Sequence, residues 1–411
     1  MLPLSTSAVL SAPKVVGRAK GKLVVIGGGA GGATLARAVQ KDAAGAIDVM
    51  LIEPQKSYTT CFASNLYVGG FRTLQSITHS YDKVRREGVT VVAAAATAID
   101  RDTKDVLIAG KRVPYDRLVV APGIDLKYDS VPGYSEAAAA IMPHAWKTGV
   151  QAELLVKKLD ALRDGDTIVV IAPPNPARCP PAVYERVSMF AHVLKAKRHG
   201  KSKIVVLDQK PSFPLQPLFQ EAWEKYYPGM VEWQDPQMHG GIKSVDAKTG
   251  AVVTDLATYK AALANVIPAQ MAGAIARDAG LADEQGFCPI DPDTMKSTID
   301  RSIFVLGDAC VPGDLPKAAS SAHSQAKVAA AVIRGELADA RPVAARYAAT
   351  CWSLIETDDG VKIGGTYEPE RGRIKQVTSV ISQKGEAADV RKANYTDALD
   401  WYGGIIADMF G

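Results

Sequence analysis

The sequence predicts an α/β protein with two doubly wound parallel sheets, followed by a smaller C-terminal α+β unit. Short apolar strands alternate with helical patterns from Lys22 to Arg334, the order expected when helices cover both faces of parallel sheets. Two strand–turn–helix units recur in this stretch, one around Gly27 and one around Cys179. After Gly335 the alternation stops and tryptophan and tyrosine become more frequent. We therefore expect two nucleotide-type domains and a separate C-terminal layer.

Composition narrows the class of protein. A chain of 411 residues holds two or three domains, and 47% hydrophobic with 22% charged residues is typical of a globular protein with a large core. The net charge of +4 and the lack of basic tracts mixed with aromatics argue against a nucleic-acid partner. Apolar runs are too short for a membrane span. The five cysteines have no metal-ligand spacing, so we expect no metal site.

The elements follow from apolar runs and turn residues, taken in chain order. We predict strands at Lys22–Ile26, Asp48–Glu53, Val91–Ala95, Leu118–Ala121, Thr167–Ala172, Ile204–Asp208, Ala264–Ile267 and Ser302–Leu306. We predict helices at Ala33–Lys41, Ala182–Lys197 and Ser320–Arg334, the last ending at Gly335 as a C-cap. Residues 211–250, rich in Pro, Gln, Trp and Gly, are predicted to be loops over short strands.

The first nucleotide site is predicted by three glycines and an acid in register. Gly27, Gly29 and Gly32 lie between a strand and a helix, and Glu53 ends the next strand. Gly27 permits the tight turn, Gly29 lets phosphates approach, and Gly32 lets helix and strand pack closely. The Glu53 carboxylate can accept hydrogen bonds from ribose hydroxyls. This Rossmann-type fingerprint is common to NAD and FAD sites.

A second signature favours FAD. The apolar strand before Gly307 and Asp308 is typical of flavoproteins with two dinucleotide domains, in which the aspartate binds the ribityl chain. The helix beginning near Ser320 would direct its positive end at the flavin ring. We therefore predict a leader or arm over 1–20, FAD-binding segments over 21–130 and 261–335, an NAD-binding-like domain over 131–260 and an interface domain over 336–411. The arm fits both the back half of an export signal and a flexible terminus.

The second strand–turn–helix unit lacks the glycines of a phosphate cradle. Its turn contains Pro173, Pro174, Pro176, Pro180 and Pro181, none of which has an N–H to donate. It offers a thiol instead, at Cys179. We expect the helix N-terminus to lower the pKa of this thiol and favour a reactive thiolate.

The other cysteines say less on their own. Cys61 lies shortly after the Glu53 strand, on a loop that should run beside a flavin, and Cys351 lies in the C-terminal layer. Cys288 and Cys310 are predicted to be small buried residues without a role.

Together these motifs resemble the flavoprotein subunit of flavocytochrome c sulfide dehydrogenase from about Lys22 to the C-terminus. The matching segments are Val-Ile-Gly-Gly-Gly-x-Gly-Gly-Ala-Thr, Leu-Ile-Glu-Pro, Tyr-x-Thr-Cys61, Ala-Pro-Gly-Ile at 121–124, Pro-His-Ala-Trp-Lys at 143–147, Arg-Cys179-Pro-Pro, Tyr-Glu-Arg at 184–186, Gly-Asp-Ala-Cys at 307–310, Thr-Cys351 and Trp401-Tyr402. The resemblance implies a fold like that of glutathione reductase.

The resemblance also implies a chemistry. FAD would be held covalently through Cys61 and contacted by Pro122 and Gly123, and Cys179 and Cys351 would form a redox disulfide over the flavin. The glutamate Glu185 and the tryptophan Trp401 would lie near the reaction, although a helix-start acid and a core aromatic are alternative interpretations. Electrons from sulfide would pass to a c-type cytochrome subunit in the periplasm.

Three other functions remain open at this point. Sulfide:quinone oxidoreductase shares the FAD and disulfide arrangement but uses membrane quinone, and Thr396–Gly411 is a poor match to a basic membrane-docking helix. A pyridine-nucleotide disulfide reductase is opposed by the proline-rich turn. The third alternative is an idle FAD-binding subunit that only carries electrons or serves as a scaffold.

Overall fold

The computed structural model describes residues 21–43, 45–147 and 149–411. The predicted arm over 1–20 lies outside the described residues. Among the helices described, no segment combines the length and apolar character needed to cross a membrane.

The strands and helices are as follows. The strands are β1 (Gly21–Ile26), β2 (Ile47–Ile52), β3 (Ser57–Thr59), β4 (Thr78–Ser80), β5 (Thr90–Val92), β6 (Ala96–Asp100), β7 (Asp105–Ile108), β8 (Lys111–Pro114), β9 (Arg117–Val120), β10 (Ile124–Lys127), β11 (Thr167–Ala172), β12 (Lys203–Asp208), β13 (Val231–Gln234), β14 (Ile242–Asp246), β15 (Ala251–Thr254), β16 (Thr258–Lys260), β17 (Leu263–Val266), β18 (Ala269–Ala272), β19 (Cys288–Pro289), β20 (Ile303–Val305), β21 (Cys310–Val311), β22 (Tyr347–Glu356), β23 (Asp359–Glu370) and β24 (Arg373–Ile381). The helices are α1 (Ala30–Asp42), α2 (Ser64–Val68), α3 (Asp82–Arg86), α4 (Glu136–Ala139), α5 (Val150–Asp160), α6 (Ala182–Ala196), α7 (Gln216–Tyr226), α8 (Pro236–His239), α9 (Ala274–Asp278), α10 (Ala319–Ala338) and α11 (Ala388–Phe410).

Two parallel sheets form the body of the protein, which confirms the predicted doubly wound fold. The first has the order β20-β9-β1-β2-β5 and the second β13-β12-β11-β17. Five of the six residues of β11, Thr-Ile-Val-Val-Ile-Ala, are fully buried, as expected for a strand covered on both faces. Each sheet presents the carboxyl ends of its strands to a loop and a following helix, α1 in the first domain and α6 in the second.

The C-terminal layer is an antiparallel sheet with one long helix. Strands β22, β23 and β24 pair in sequence order, and α11 packs on β23. This confirms the predicted α+β unit. Strand β22 also contacts α6 of the second domain, so the layer reaches the region of Cys179.

Three sequence-based predictions are wrong in detail. Helix α10 continues through Gly335 to Ala338 and is capped instead by Asp339 in the left-handed conformation (φ 56°). Its extra turn is held because Glu336 pairs with Arg117 and Lys296.

The proline-rich stretch 211–250 contains the eleven-residue helix α7. Pro217 sits in its first turn, where proline costs no hydrogen bond. Its buried residues Leu218, Phe219, Ala222 and Trp223 form a helical stripe.

The predicted domain boundary after residue 260 falls too early. Strand β17 pairs with β11 from Ile168↔Leu263 to Ile171↔Val266, so the second sheet extends to Val266.

Candidate functional site: a cavity with a dithiol

A cavity of about 770 Å³ lies where loops from both sheets and the C-terminal layer meet. The predicted site residues that line it are Gly27, Gly29, Glu53, Cys61, Pro122, Gly123, Cys179, Glu185, Gly307, Asp308, Cys351 and Trp401. Gly32 does not line the cavity; it lies in the first turn of α1. The sequence therefore identified residues that the fold gathers from distant segments into one chamber.

The glycine turn after β1 is as tight as the sequence predicts. Gly27 has φ +98°, and a Cβ there would lie 2.3 Å from the carbonyl oxygen of Ala121. A Cβ on Gly32 would lie 1.9 Å from the carbonyl oxygen of Gly27, so this glycine lets α1 pack onto the turn. Glu53 accepts a hydrogen bond from the Gly28 N–H at 2.8 Å and lies at the cavity wall. The turn leaves an open, glycine-lined surface at the start of a helix, which suits a pyrophosphate.

Asp308 also lines the cavity, just after β20. The carboxylate is enclosed, and burial raises its pKa while Arg178 and Lys317 oppose the rise. Its Oδ1 atom is buried and has no hydrogen-bond partner, and neither has Ser320 Oγ in the first turn of α10. Unpartnered buried polar atoms call for a ligand that supplies partners. A glycine cradle, an acceptor for a sugar hydroxyl and a helix N-terminus together fit FAD.

Cys61 begins a short 3₁₀ turn that continues into α2. Its Sγ lies 4.0 Å from the Tyr58 hydroxyl, and its carbonyl oxygen accepts a hydrogen bond from Ser64 Oγ at 2.8 Å. The side chain faces the cavity, as predicted.

Cys179 has a strained backbone position in the proline-rich loop. Its φ is +47°, which is uncommon for a residue with a Cβ, and its N–H donates to the carbonyl oxygen of Lys317 at 2.6 Å. The neighbouring N–H of Arg178 donates to Gln270 Oε1 at 2.8 Å. Backbone donors that would face a phosphate in a nucleotide loop are thus used to hold the thiol in place.

Cys179 and Cys351 both line the cavity, close enough for Cys351 to affect the ionisation of Cys179. Cys351 reaches the cavity from the buried side of β22. Cys351 and burial raise the pKa of Cys179 well above its ordinary value, with Glu185 adding to the rise and Arg178 opposing it. The prediction that the helix N-terminus lowers the pKa of Cys179 is therefore wrong for the dithiol form, because a buried thiol beside another thiol and a carboxylate resists ionisation.

Glu185 is held in the first turn of α6, next to the dithiol. Burial raises the pKa of its carboxyl group from 4.5 to about 7. Oε2 accepts a hydrogen bond from Asn65 Nδ2 at 2.7 Å and Oε1 accepts one from the Leu354 N–H at 2.9 Å. A carboxyl group with this pKa can take up and release a proton near neutral pH.

Trp401 belongs to an aromatic group at the end of the cavity. Its ring lies 5.4 Å from that of Trp352 and 5.7 Å from that of Phe62, the residue after Cys61. It lines the cavity and also packs against the first core.

The corresponding nucleotide position in the second domain is filled by protein. Asp208 ends β12 and is completely buried. It accepts hydrogen bonds from the Tyr184 hydroxyl, from Trp233 Nε1 at 3.0 Å and from Lys210 Nζ at 2.6 Å. Lys210 Nζ also donates to the carbonyl oxygen of Pro173 at 2.8 Å.

Sequence reasoning missed three residues of the site region. Asp208 could have been found, because it ends the second strand of its unit as Glu53 does in the first. Arg178 lies in the motif around Cys179, and its Nε is 4.0 Å from Asp308 Oδ2. Asn65, which bonds Glu185, carried no local signal because its partner is far away in the sequence.

Family models match most of the chain. Residues 152–268 match the central region of the sulfide dehydrogenase (flavocytochrome c) flavoprotein chain, and residues 343–410 match the flavin-binding region of flavocytochrome c sulphide dehydrogenase. Residues 21–171 match the pyridine nucleotide-disulphide oxidoreductases. The two more specific models cover the segments that carry Cys179 and Cys351.

Individual proteins are similar at lower identity. Mitochondrial sulfide:quinone oxidoreductase of Dictyostelium discoideum is 24% identical over 328 residues, 75% of this chain and 69% of that protein. The Mus musculus protein of the same name is 23% identical over 316 residues, 74% of this chain and 69% of that protein. The solved sulfide:quinone oxidoreductase of Aquifex aeolicus superposes with a TM-score of 0.73 at 17% identity, covering 95% of this chain and 92% of that one. Putidaredoxin reductase in its covalent complex with putidaredoxin gives 0.67 at 18% identity, covering 92% and 93%. These superpositions support the fold.

Proposed function

Because the chain belongs to the flavoproteins related to flavocytochrome c sulfide dehydrogenase and sulfide:quinone oxidoreductase, we propose that it oxidises sulfide with FAD and passes the electrons to a c-type cytochrome. One observation carries the proposal. Cys179 and Cys351, from two different domains, line the same cavity that fits FAD, and Cys351 affects the ionisation of Cys179.

The residues that would hold FAD lie in the glycine turn after β1, just after β2 and just after β20. Gly27 and Gly29 would receive the pyrophosphate, Glu53 the ribose, and Asp308 the ribityl chain. When bound, FAD supplies a two-electron acceptor beside the sulfurs. We propose in addition that Cys61 would hold FAD through a thioether, because Cys61 lines the cavity from a turn fixed by Ser64. In that linkage an S–C bond would replace the S–H of Cys61 and one C–H of the flavin 8α-methyl group, and the two electrons would pass to the flavin.

The oxidised form of the dithiol would begin the reaction. Hydrosulfide attacks one sulfur of a Cys179–Cys351 disulfide, a new S–S bond forms to the incoming sulfur, and the bond between the two cysteines breaks. One cysteine becomes a persulfide and the other leaves as a thiolate. Glu185 is placed to exchange the proton of the attacking species, since its carboxyl group lies beside Cys179 and has a pKa of about 7.

A protein acceptor is supported by the C-terminal helix. The apolar side chains of α11 at Ala398, Tyr402, Ile405, Met409 and Phe410 are buried within the chain. A helix that docks on a membrane needs such side chains exposed on one face. The sequence contains no Cys-x-x-Cys-His motif, so the haem would be on another chain.

Quinone is the second candidate acceptor, favoured by the similarity to sulfide:quinone oxidoreductases. Periplasmic location forms part of the proposal because stable disulfides and c-type cytochromes suit an oxidising compartment. The two acceptors are distinguished by comparing the rate of cytochrome c reduction with quinone reduction on liposomes. Faster quinone reduction that requires liposomes would overturn the cytochrome proposal.

An anaerobic sulfide titration tests the reaction itself. We expect one equivalent of sulfide to bleach the flavin of the purified holoprotein. Cys179→Ser and Cys351→Ser should each slow bleaching by at least about a thousandfold while the flavin stays attached. Cys288→Ala, at a buried cysteine outside the cavity lining, is the matched control and should bleach at the normal rate. Normal bleaching in either serine variant would refute the relay.

The thioether has a separate test. Acid precipitation of the wild-type holoprotein should leave the flavin in the pellet, whereas Cys61→Ser should release it into the supernatant. Flavin retained in the Cys61→Ser pellet would refute the linkage.

A further inference from the structure

The carboxylate of Glu185 joins three segments of the site. Asn65, on the helix that follows the Cys61 turn, donates to Oε2 at 2.7 Å. The Leu354 N–H, on the strand that carries Cys351, donates to Oε1 at 2.9 Å. Glu185 itself lies on the helix that follows the proline-rich loop. The one carboxylate therefore holds together the segments that bring the three site cysteines to the cavity.

The Asn65 side chain is fixed by what surrounds it. Nδ2 donates both to Glu185 and to the carbonyl oxygen of Ala182 at 2.8 Å, and Oδ1 accepts from Arg186 Nε at 3.0 Å. A flipped amide would face its NH₂ group to the guanidinium and its oxygen to the carboxylate. Both of these contacts in the flipped amide would be repulsive, so only the observed orientation is compatible with its neighbours.

Arg186 is the charged residue that is bonded to the oxygen of this amide. The guanidinium is almost completely buried and donates to the carbonyl oxygens of His144 at 2.9 Å and Ala145 at 2.7 Å. Its Nε donates to Asn65 Oδ1 at 3.0 Å. The guanidinium therefore fixes the oxygen end of the amide, so that the NH₂ group points at Glu185.

The other titratable groups around Glu185 come from two elements. Cys179 lies in its own segment and Cys351 on β22, and Arg178 acts on Cys179 from the same loop. From α2 the group that touches the carboxylate is the neutral amide of Asn65. Burial outweighs the lowering effects of Asn65, the Leu354 N–H and Arg186, so the pKa of Glu185 stays at about 7.

We propose that Asn65 is a positioning residue, which orients the Glu185 carboxylate toward the dithiol and stabilises its ionised form through a hydrogen bond. This inference rests on the proposed function, in which Glu185 moves the proton of the sulfur reaction. Asn65 acts through Glu185 and is not itself assigned to the reacting atoms.

The test measures the protonation of Glu185 directly and then its kinetic effect. The infrared band of the protonated carboxyl group is assigned by its loss in Glu185→Gln, and its midpoint is followed with pH in the holoprotein. Asn65→Ala removes a charge-assisted hydrogen bond to the ionised form, so we expect the midpoint to rise by about one pH unit. The limb of the pH profile for sulfide-driven bleaching that Glu185→Gln abolishes should move by the same amount.

Asn265→Ala is the matched control. Asn265 is a buried asparagine that also contacts Arg186, at 3.4 Å, but it bonds the carbonyl oxygens of Pro143 and His144 and not Glu185. We expect it to leave the midpoint in place. An unchanged midpoint in Asn65→Ala, or an equal shift in both variants, would overturn the assignment of Asn65.

A second variant covers the case in which Asn65→Ala folds poorly. Asn65→Asp has the same shape and keeps the acceptor for Arg186, but it places a second carboxyl group against Glu185. The two should then share a proton, and the midpoint should rise by at least as much. A lowered midpoint would contradict the proposed role.

Failure of the two proposals can be told apart. If the infrared midpoint shifts but bleaching ignores Glu185→Gln, the role of Glu185 in the proposed function fails and the positioning by Asn65 stands. If Glu185→Gln removes the kinetic limb but Asn65→Ala moves neither measurement, the proposed function stands and the role of Asn65 fails.

Discussion

In the first domain the acid after β2, Glu53, lines the cavity and bonds the Gly28 N–H, whereas in the second domain the acid that ends β12, Asp208, is sealed under Tyr184, Trp233 and Lys210. Both acids stand at the carboxyl end of the strand that comes second in chain order in its parallel sheet. The turn beside Glu53 is built from glycines and stays open, and the turn beside Asp208 is built from prolines and is bonded by Lys210. With the same topology, the glycine turn of the first domain is open to a ligand, whereas the proline-rich turn of the second domain is closed by protein side chains. The proline-rich turn carries the thiol of Cys179.

The comparison teaches that the strand order does not decide what a dinucleotide-type domain binds. What the domain binds depends on a few atoms in the turn between strand and helix. The backbone N–H groups of the turn must be free to donate, and the acid at the end of the second strand must still be able to accept a hydrogen bond. Asp208 has no capacity left, while Glu53 faces the cavity.

The largest effect should come from closing the open cradle. Gly27→Val adds a side chain at φ +98°, where its Cβ would meet the Ala121 carbonyl oxygen at 2.3 Å. We expect the purified variant to contain no flavin by absorbance and to unfold more readily. Gly29→Ala is the milder control, because its Cβ would meet the Tyr58 side chain at 3.3 Å or more, and the fold should be kept while flavin content falls. Full flavin content in Gly27→Val would show that the cradle is elsewhere.

Replacing each of the two acids by alanine should separate the effect on FAD binding from the effect on protein stability. Asp208→Ala leaves the buried Lys210 ammonium without its carboxylate, so we expect a loss of about 3 kcal/mol in the free energy of unfolding with little change in flavin content. Glu53→Ala should do the reverse, lowering FAD affinity about tenfold in reconstitution while costing less than about 1 kcal/mol of stability. Chemical denaturation and flavin titration measure the two effects. If both variants lost stability alone, the contrast between the acids would be wrong.

Glu185 provides the next test, because it is a cavity-lining acid whose carboxylate accepts hydrogen bonds from two neutral donors, Asn65 and the Leu354 N–H. Its pKa is raised in the folded state from 4.5 to about 7, so the folded protein binds the proton more tightly than the unfolded chain does. The carboxyl group therefore costs stability progressively as pH rises from 4.5 to 7, and the full cost remains above that range. We expect Glu185→Gln to stabilise the protein by about 3 kcal/mol at pH 8, and to make no difference at pH 4. A constant difference at both pH values would mean that packing, and not ionisation, is responsible.

The smallest effect is expected for NADH, which should leave the flavin oxidised. Excess NADH should not bleach the flavin of the anaerobic holoprotein, because the second cradle has no free backbone donors where its prolines stand and its acid is already bonded. Sulfide added afterwards to the same sample serves as the positive control. Rapid bleaching by NADH would show that the second domain still binds a nicotinamide nucleotide.

Regular elements were accessible to sequence reasoning where the signal was local. Strand β11 was predicted with the correct ends because its apolar run is continuous and is followed by prolines. Helix α7 was missed because the composition of 211–250 hid the spacing of Leu218, Phe219 and Trp223, which only the second core explains. Gly335 was taken for a helix end because the ion pairs of Glu336 that extend α10 join residues remote in sequence.

The site shows the same limit. Gly27, Glu53 and Asp308 were found from motifs in single short segments. Cys351 and Glu185 were assigned through resemblance to a family, because their local sequence gives no sign that they share a cavity with Cys179. Asn65 was not found at all, since its role depends on a hydrogen bond to a distant helix.

The position of Cys351 on the last sheet has a consequence for how the protein is made. While the ribosome is still producing the chain, the segment with Cys179 exists without its counterpart, and the chamber lacks one wall until β22 has been synthesised and docked. A product that terminated before β22 would carry the glycine turn and Cys179 but not Cys351, so the proposed sulfur chemistry would require the complete molecule.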